Sequence, residues 1–168
     1  GWEPIIKMRI KDFDLPEVFK TNFARLRQEA ENYCQEREFK LNNKFECTFD
    51  EIYEVIKRNY LFENGIIEQI KQIEIEEEIN NAYPIKENIN KLKKLVSEGK
   101  KVVLISDMYF GADILRKILV KVDNIFENIE IFSSADSGKR KTNGSLFRFA
   151  QEKYDVVEHI GDNSFSDV

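Results

Sequence analysis

Apolar positions along the chain change their period once, near Lys100. Before that point they recur every three or four residues. Phe19, Phe23, Leu26, Ala30 and Tyr33 follow alternating steps of four and three, which predicts an amphipathic helix opening near Leu15-Pro16. Arg25, Arg27, Glu29 and Glu31 then fall on its other faces. Thr48-Phe49-Asp50-Glu51 has the form of a capping box and starts a second helix whose apolar face is Ile52, Val55 and Ile56. Ile66, Ile67, Ile70, Ile73 and Ile79 carry the helical period onward, past Glu74, Glu76, Glu77 and Glu78, which read as a solvated face. Asn80 to Pro84 breaks the pattern, and Ile89, Leu92, Leu95 and Val96 mark a further helix stopped at Gly99. The stretch from Leu15 to Lys100 is therefore predicted almost wholly helical, whereas Ile5 to Ile10 fits a short strand or a loop.

Beyond Lys100 short apolar runs alternate with helical ones. Val102 to Ile105 reads as a buried parallel strand that ends in Ser106-Asp107. Ile114, Leu115, Ile118 and Leu119 form a helix face; Ile129, Ile131 and Phe132 a strand ending in Ser133-Ser134; Leu146, Phe147 and Ala150 another helix. Val156, Val157 and Ile160 read as a last strand, ending in Gly161-Asp162. Strand, helix, strand, helix, strand implies right-handed crossovers and a parallel sheet, with ligands beyond the carboxyl ends of the strands.

Composition narrows the classes. A length of 168 residues and 42% apolar content suit one α/β unit with a helical appendage. A net charge of -5 argues against nucleic acid as a partner. No run approaches the roughly 20 apolar residues that span a bilayer. Cys34 and Cys47 fit no metal-ligand spacing, so reduced thiols and a cytoplasmic setting are expected.

The three predicted strand ends carry distinctive chemistry in order. Ser106-Asp107 comes first, the turn Gly138-Lys139-Arg140-Lys141-Thr142-Asn143-Gly144 follows the second, and Gly161-Asp162-Asn163-Ser164-Phe165-Ser166-Asp167 closes the third. A hydroxyl, an amine and a pair of carboxylates on one sheet edge are the groups that handle phosphate through a divalent cation. Singly each has a plainer reading: Ser106 as a helix cap, the lysines as a solvated turn, and His159 as a packed or hydrogen-bonded side chain.

Taken together, these motifs resemble the second, third and fourth motifs of the haloacid-dehalogenase superfamily of phosphohydrolases. The nearest likeness is to the bacterial branch found with glycosyltransferases of surface-polysaccharide synthesis. The resemblance implies a three-layer, Rossmann-like parallel sheet with an α-helical cap: residues 1–14 as a remnant after the first core strand, 15–100 as the cap, and 101–168 as an α/β core cut short. It implies a Mg²⁺-dependent phosphomonoesterase that works through an aspartyl phosphate. Ser106 and Lys141 match the phosphate-binding groups, Asp162 and Asp167 the Mg²⁺ ligands, and Asp107 and Asn163 supporting groups. The family's first motif, D-x-D, has no match; aligning Ile5-Ile6 with the apolar pair after it puts Glu3 at the second aspartate and the nucleophile ahead of Gly1. The 168 residues thus read as part of a longer protein. Implied partners are a small phosphorylated substrate of the sugar-phosphate kind and a glycosyltransferase domain. A catalytically inactive relative that binds a phosphorylated ligand or a partner protein is the alternative. A receiver domain is disfavoured by the long helical insertion, and a dinucleotide-binding fold by the lack of G-x-G-x-x-G after a strand.

Overall fold

The computed structural model describes residues 3–44, 46–155 and 158–160. The chain opens on helix α1 (Glu3–Arg9), not on a strand or loop. Ile6 and Ile10, one helical turn apart, are both fully buried, while Arg9 reaches back to Glu77 at 2.8 Å and Glu76 at 2.6 Å. Burial of that apolar pair and the two charge-assisted bonds favour helix where the local sequence is indifferent.

The helix expected from Leu15 to Tyr33 is two helices, α2 (Glu17–Thr21) and α3 (Phe23–Asn42), with the break at Asn22. The buried stripe of α3 is Phe23, Arg27, Ala30, Cys34 and Glu38, rotated by one residue from the apolar reading. Tyr33 is exposed and Arg27 is not. Helix α4 (Phe49–Tyr60) begins with the predicted box: the Thr48 hydroxyl accepts from the Glu51 N–H at 3.2 Å and the Glu51 carboxylate accepts from the Thr48 N–H at 2.7 Å. Helix α5 (Asn64–Asn81) buries Ile67, Ile70, Ile73, Glu74 and Glu77. Its glutamates are therefore not uniformly a solvated face: Glu74 has no exposed surface.

Arg27 explains both departures. Its Nε and Nη2 donate to the two Glu74 oxygens at 3.1 and 3.0 Å, and Nη1 donates to Glu31 at 2.9 Å. The Tyr53 hydroxyl also donates to Glu74, and the guanidinium lies over the Tyr109 ring, 4.6 Å from its centroid. Arg27 and Glu74 satisfy each other across the two buried stripes, so both charges stay inside.

Helix α6 (Lys86–Ser97) buries none of its residues, and its Lys93 forms an ion pair with Asp123 at 2.6 Å. Strand β1 (Val103–Ser106) pairs in parallel with β2 (Glu130–Ser133), in the register Val103 to Glu130 through Ser106 to Ser133. Helix α7 (Ala112–Val122) and a 3-10 turn (Asn124–Glu127) connect them, α8 (Ser134–Ser137) follows β2, and α9 (Ser145–Gln151) follows the basic turn. The fold is mixed α/β and mostly helical, with a two-stranded parallel sheet among the described residues. Strand β1 is half-buried along its length, not buried as predicted, because β2 is its one described partner. Of the last predicted strand, Val156 and Val157 lie outside the described residues, and 158–160 carry no regular structure. The main apolar cluster joins α1 to α5 with Phe110, Leu115 and Ile131, across the boundary predicted at residue 100. Among the described residues no helix is long and apolar enough to cross a membrane.

Candidate functional site

Ser106 ends β1 level with Ser133, the last residue of β2, so both hydroxyl-bearing ends reach the same sheet edge. The serines of β2 and α8 are occupied in holding the loop beyond β1. Ser133 Oγ donates to the Phe110 carbonyl at 2.6 Å. Ser134 Oγ accepts from the Met108 N–H at 2.8 Å and pairs with the Met108 carbonyl at 3.1 Å. From the helical side, the Tyr109 carbonyl accepts from the Phe49 N–H at 2.9 Å. Phe110 is fully buried in the core, and Tyr109 is clamped between Arg27 and Phe49. These contacts fix the segment after Ser106 on both sides. Tyr83, by contrast, is exposed and takes no part.

Asp107 heads that segment. Its Oδ1 is buried and has no hydrogen-bond partner among the described residues. A carboxylate oxygen in that condition calls for a proton donor or a cation.

Glu46 stands near it, in the segment joining α3 to α4, and is 6% exposed. Its Oε1 accepts from Gln35 Nε2 at 2.7 Å and from the Cys47 N–H at 3.2 Å, while Oε2 lies 3.8 Å from Arg140 Nη2. Burial pushes the Glu46 carboxyl above its ordinary 4.5; Arg140 and the hydrogen bonds pull it back, and the Asp107 charge adds a smaller upward push. The folded state thus binds this proton more tightly than the unfolded chain does. The resulting stability is present below 4.5 and is lost as pH rises through the raised value. Glu46→Gln is expected to flatten the fall in stability as pH rises above 4.5, read from urea midpoints measured across that rise.

The basic turn is built by Ser145. Its hydroxyl accepts from the Arg140 N–H at 3.0 Å and meets Asn143 Oδ1 at 2.6 Å, and the Gly144 N–H donates to the Lys141 carbonyl at 2.7 Å. Gly144 has φ +69, the left-handed region in which a Cβ is strained. The turn thereby presents Arg140 to α3, where Asn32, Gln35, Glu36 and Phe39 form with it a cleft of about 290 Å³. Lys141 lies in the same turn.

The structure brings Ser106 and Asp107 to one sheet edge, with Glu46 within reach of the Asp107 charge and 3.8 Å from Arg140. Asp162, Asn163 and Asp167 lie outside the described residues. Glu3 opens α1, and its side chain is likewise outside them. His159 is exposed and meets Phe147 edge-on, ring centroids 4.7 Å apart. Sequence reasoning missed Glu46 and Gln35: a lone glutamate between helices has no motif, and its partners are on other elements. No cluster of three or more histidine, cysteine or acidic residues suited to a metal ion occurs among the described residues.

A scan against protein-family models finds none that matches this chain, and a search of curated proteins finds no match either.

Proposed function

We propose that this chain belongs to a Mg²⁺-dependent phosphomonoesterase of haloacid-dehalogenase type, acting on a small phosphorylated substrate such as a sugar phosphate. The observation that carries the proposal is the buried, unpartnered Asp107 Oδ1, directly after Ser106 at the carboxyl end of a parallel strand pair. The reading extends the two described strands into a three-layer, Rossmann-like sheet, with the segment ending at Asp162 as a further strand and α2 to α6 as the cap. It also places the protein in the cytoplasm, beside a glycosyltransferase domain.

Asp162 and Asp167 are hard oxygen donors and suit Mg²⁺. The bound ion supplies charge neutralisation at the phosphoryl group. Ser106 donates a hydrogen bond to a phosphoryl oxygen, and the Lys141 ammonium balances the charge that develops on it. Asp107 and Asn163 hold these groups in place. The phosphoryl group passes in line to an aspartate that the resemblance places ahead of Ile5 as its bond to the substrate oxygen breaks and the alcohol leaves, and water then hydrolyses the acyl phosphate to inorganic phosphate.

One observation favours the second reading, a catalytically inactive domain that binds a phosphorylated ligand: Glu3, aligned with the family's acid/base position, starts a helix. One assay separates the two. In the protein that carries the nucleophilic aspartate, phosphate release from a panel of phosphate monoesters is expected with Mg²⁺ and not with a chelator. Saturable phosphate binding without turnover would favour the inactive domain, and neither turnover nor binding would overturn both.

A further inference from the structure

Helix α6 is amphipathic, yet its apolar face has no place in the core. Ile85, at the N-cap, and Ile89, Leu92 and Val96 recur at steps of four, three and four, so they share one face of the helix. A helix packed on a core covers such a face. Here no residue of α6 is buried, and among the described residues none of these four belongs to either apolar cluster. Ile85 and Val96, at the two ends of the face, are 59% and 42% exposed, and Tyr83, just ahead of the helix, is 79% exposed. The ion pair of Lys93 with Asp123, itself at the surface, ties α6 to the end of α7.

Charge is the second observation. From Tyr83 to Lys101 the chain carries six lysines against two glutamates, although its net charge is -5. The segment is a basic island on an acidic protein. Lys86 and Lys93 lie to one side of the apolar face and Lys91 to the other, each within about a third of a turn of it. Lys86 and Lys91 form no ion pair among the described residues, while Lys94 and Lys100 share Glu98 at 3.9 and 3.8 Å.

We propose that α6 is an interfacial helix that docks the protein on a bilayer surface rich in anionic phospholipid. The helix lies in the plane of the surface, and Ile85, Ile89, Leu92 and Val96 enter the boundary between headgroups and acyl chains. The flanking lysines run their methylene stems along that face and set their ammonium groups among the headgroup phosphates. Tyr83 sits at headgroup level, where a ring with a polar tip is favoured. A protein partner would have to offer an apolar groove with an acidic rim shaped to the helix. A bilayer needs only anionic charge above hydrocarbon, and that is the pattern α6 complements. Because α6 is already helical in the folded chain, docking does not bear the cost of ordering it. The same surface field repels the acidic remainder of the chain, so charge also orients the molecule with α6 toward the lipid. The docking does not rest on the phosphatase reading.

The test is sedimentation of the full chain with vesicles of phosphatidylcholine alone and with vesicles that contain about one-third phosphatidylglycerol. Binding is expected to the mixed vesicles only, and to weaken severalfold as salt is raised. Lys86→Glu with Lys91→Glu should cut it by about tenfold or more, and so should Ile85→Glu with Val96→Glu. All four side chains are exposed, so urea midpoints of both double variants should stay at that of the parent. No sedimentation with the mixed vesicles, or equal sedimentation with both kinds, would overturn the proposal. So would a loss on charge reversal with none from the apolar substitutions, the mark of loose electrostatic adhesion. Saturable binding of an acidic polypeptide in place of the mixed vesicles would assign α6 to a protein partner and overturn it as well.

Discussion

Arg27→Ala is expected to lower the free energy of unfolding by about 3–5 kcal/mol, the usual cost of leaving one partner of a buried ion pair unpaired. The side chains of Arg27 and Glu74 are 3% and 0% exposed, so water does not replace what the truncation removes. Glu74 would keep the Tyr53 hydroxyl alone, and Glu31 and the Tyr109 ring would each lose their cation. Glu74→Ala leaves the guanidinium with Glu31 as its remaining carboxylate and should also destabilise the fold. Arg27→Met combined with Glu74→Leu should recover most of the loss, because an apolar pair of comparable volume demands no desolvation. Urea unfolding of the parent, both singles and the double closes the cycle. A single variant within about 1 kcal/mol of the parent would show that the pair is solvated in solution.

Asp162→Ala is expected to abolish Mg²⁺-dependent phosphate release in the protein that carries out the reaction, and Ser106→Ala to lower kcat by about a hundredfold. The difference reflects what each side chain is asked to do. Asp162 is assigned a direct bond to the ion, without which the phosphoryl charge is not neutralised. Ser106 is assigned one hydrogen bond to a phosphoryl oxygen, and the Lys141 ammonium remains when it is removed. Steady-state kinetics against Mg²⁺ concentration, with urea midpoints confirming that each variant is folded, distinguishes loss of chemistry from loss of structure. Retained turnover in Asp162→Ala refutes its assignment.

The helical half is legible in the sequence wherever local chemistry decides structure. Thr48 and Glu51 cap a helix through bonds three residues apart, so sequence alone contains the whole interaction. The stop at Gly99 and the turn at Gly138 to Gly144 are similar, each resting on backbone torsions that glycine tolerates, φ +74, +66 and +69 at Gly99, Gly138 and Gly144. Arg27 and Glu74 escape the pattern for the opposite reason. Their pairing spans 47 positions, and a rule that sends charge outward cannot see a partner on another helix. Ile5 and Ile6 are ambiguous because what makes α1 helical is Arg9 meeting Glu76 and Glu77, again remote in sequence. At the candidate site, Ser106 and Asp107 are readable from the abrupt end of an apolar run. Glu46 is not, since only the folded chain sets it beside Arg140.

The apolar cluster that joins α1 to α5 with Phe110, Leu115 and Ile131 bears on how a substrate could enter. A lid that swings freely needs a wet seam, so that opening exposes little oil. Here the helices and the loop after Ser106 share one dry interior, and the Tyr109 carbonyl is bonded to the first residue of α4. Prising them apart would strip the cluster and break the Arg27 clasp together. On the phosphatase reading, traffic to Ser106 would therefore be a matter of side chains and short connections moving at the rim, not of one half of the molecule lifting off the other.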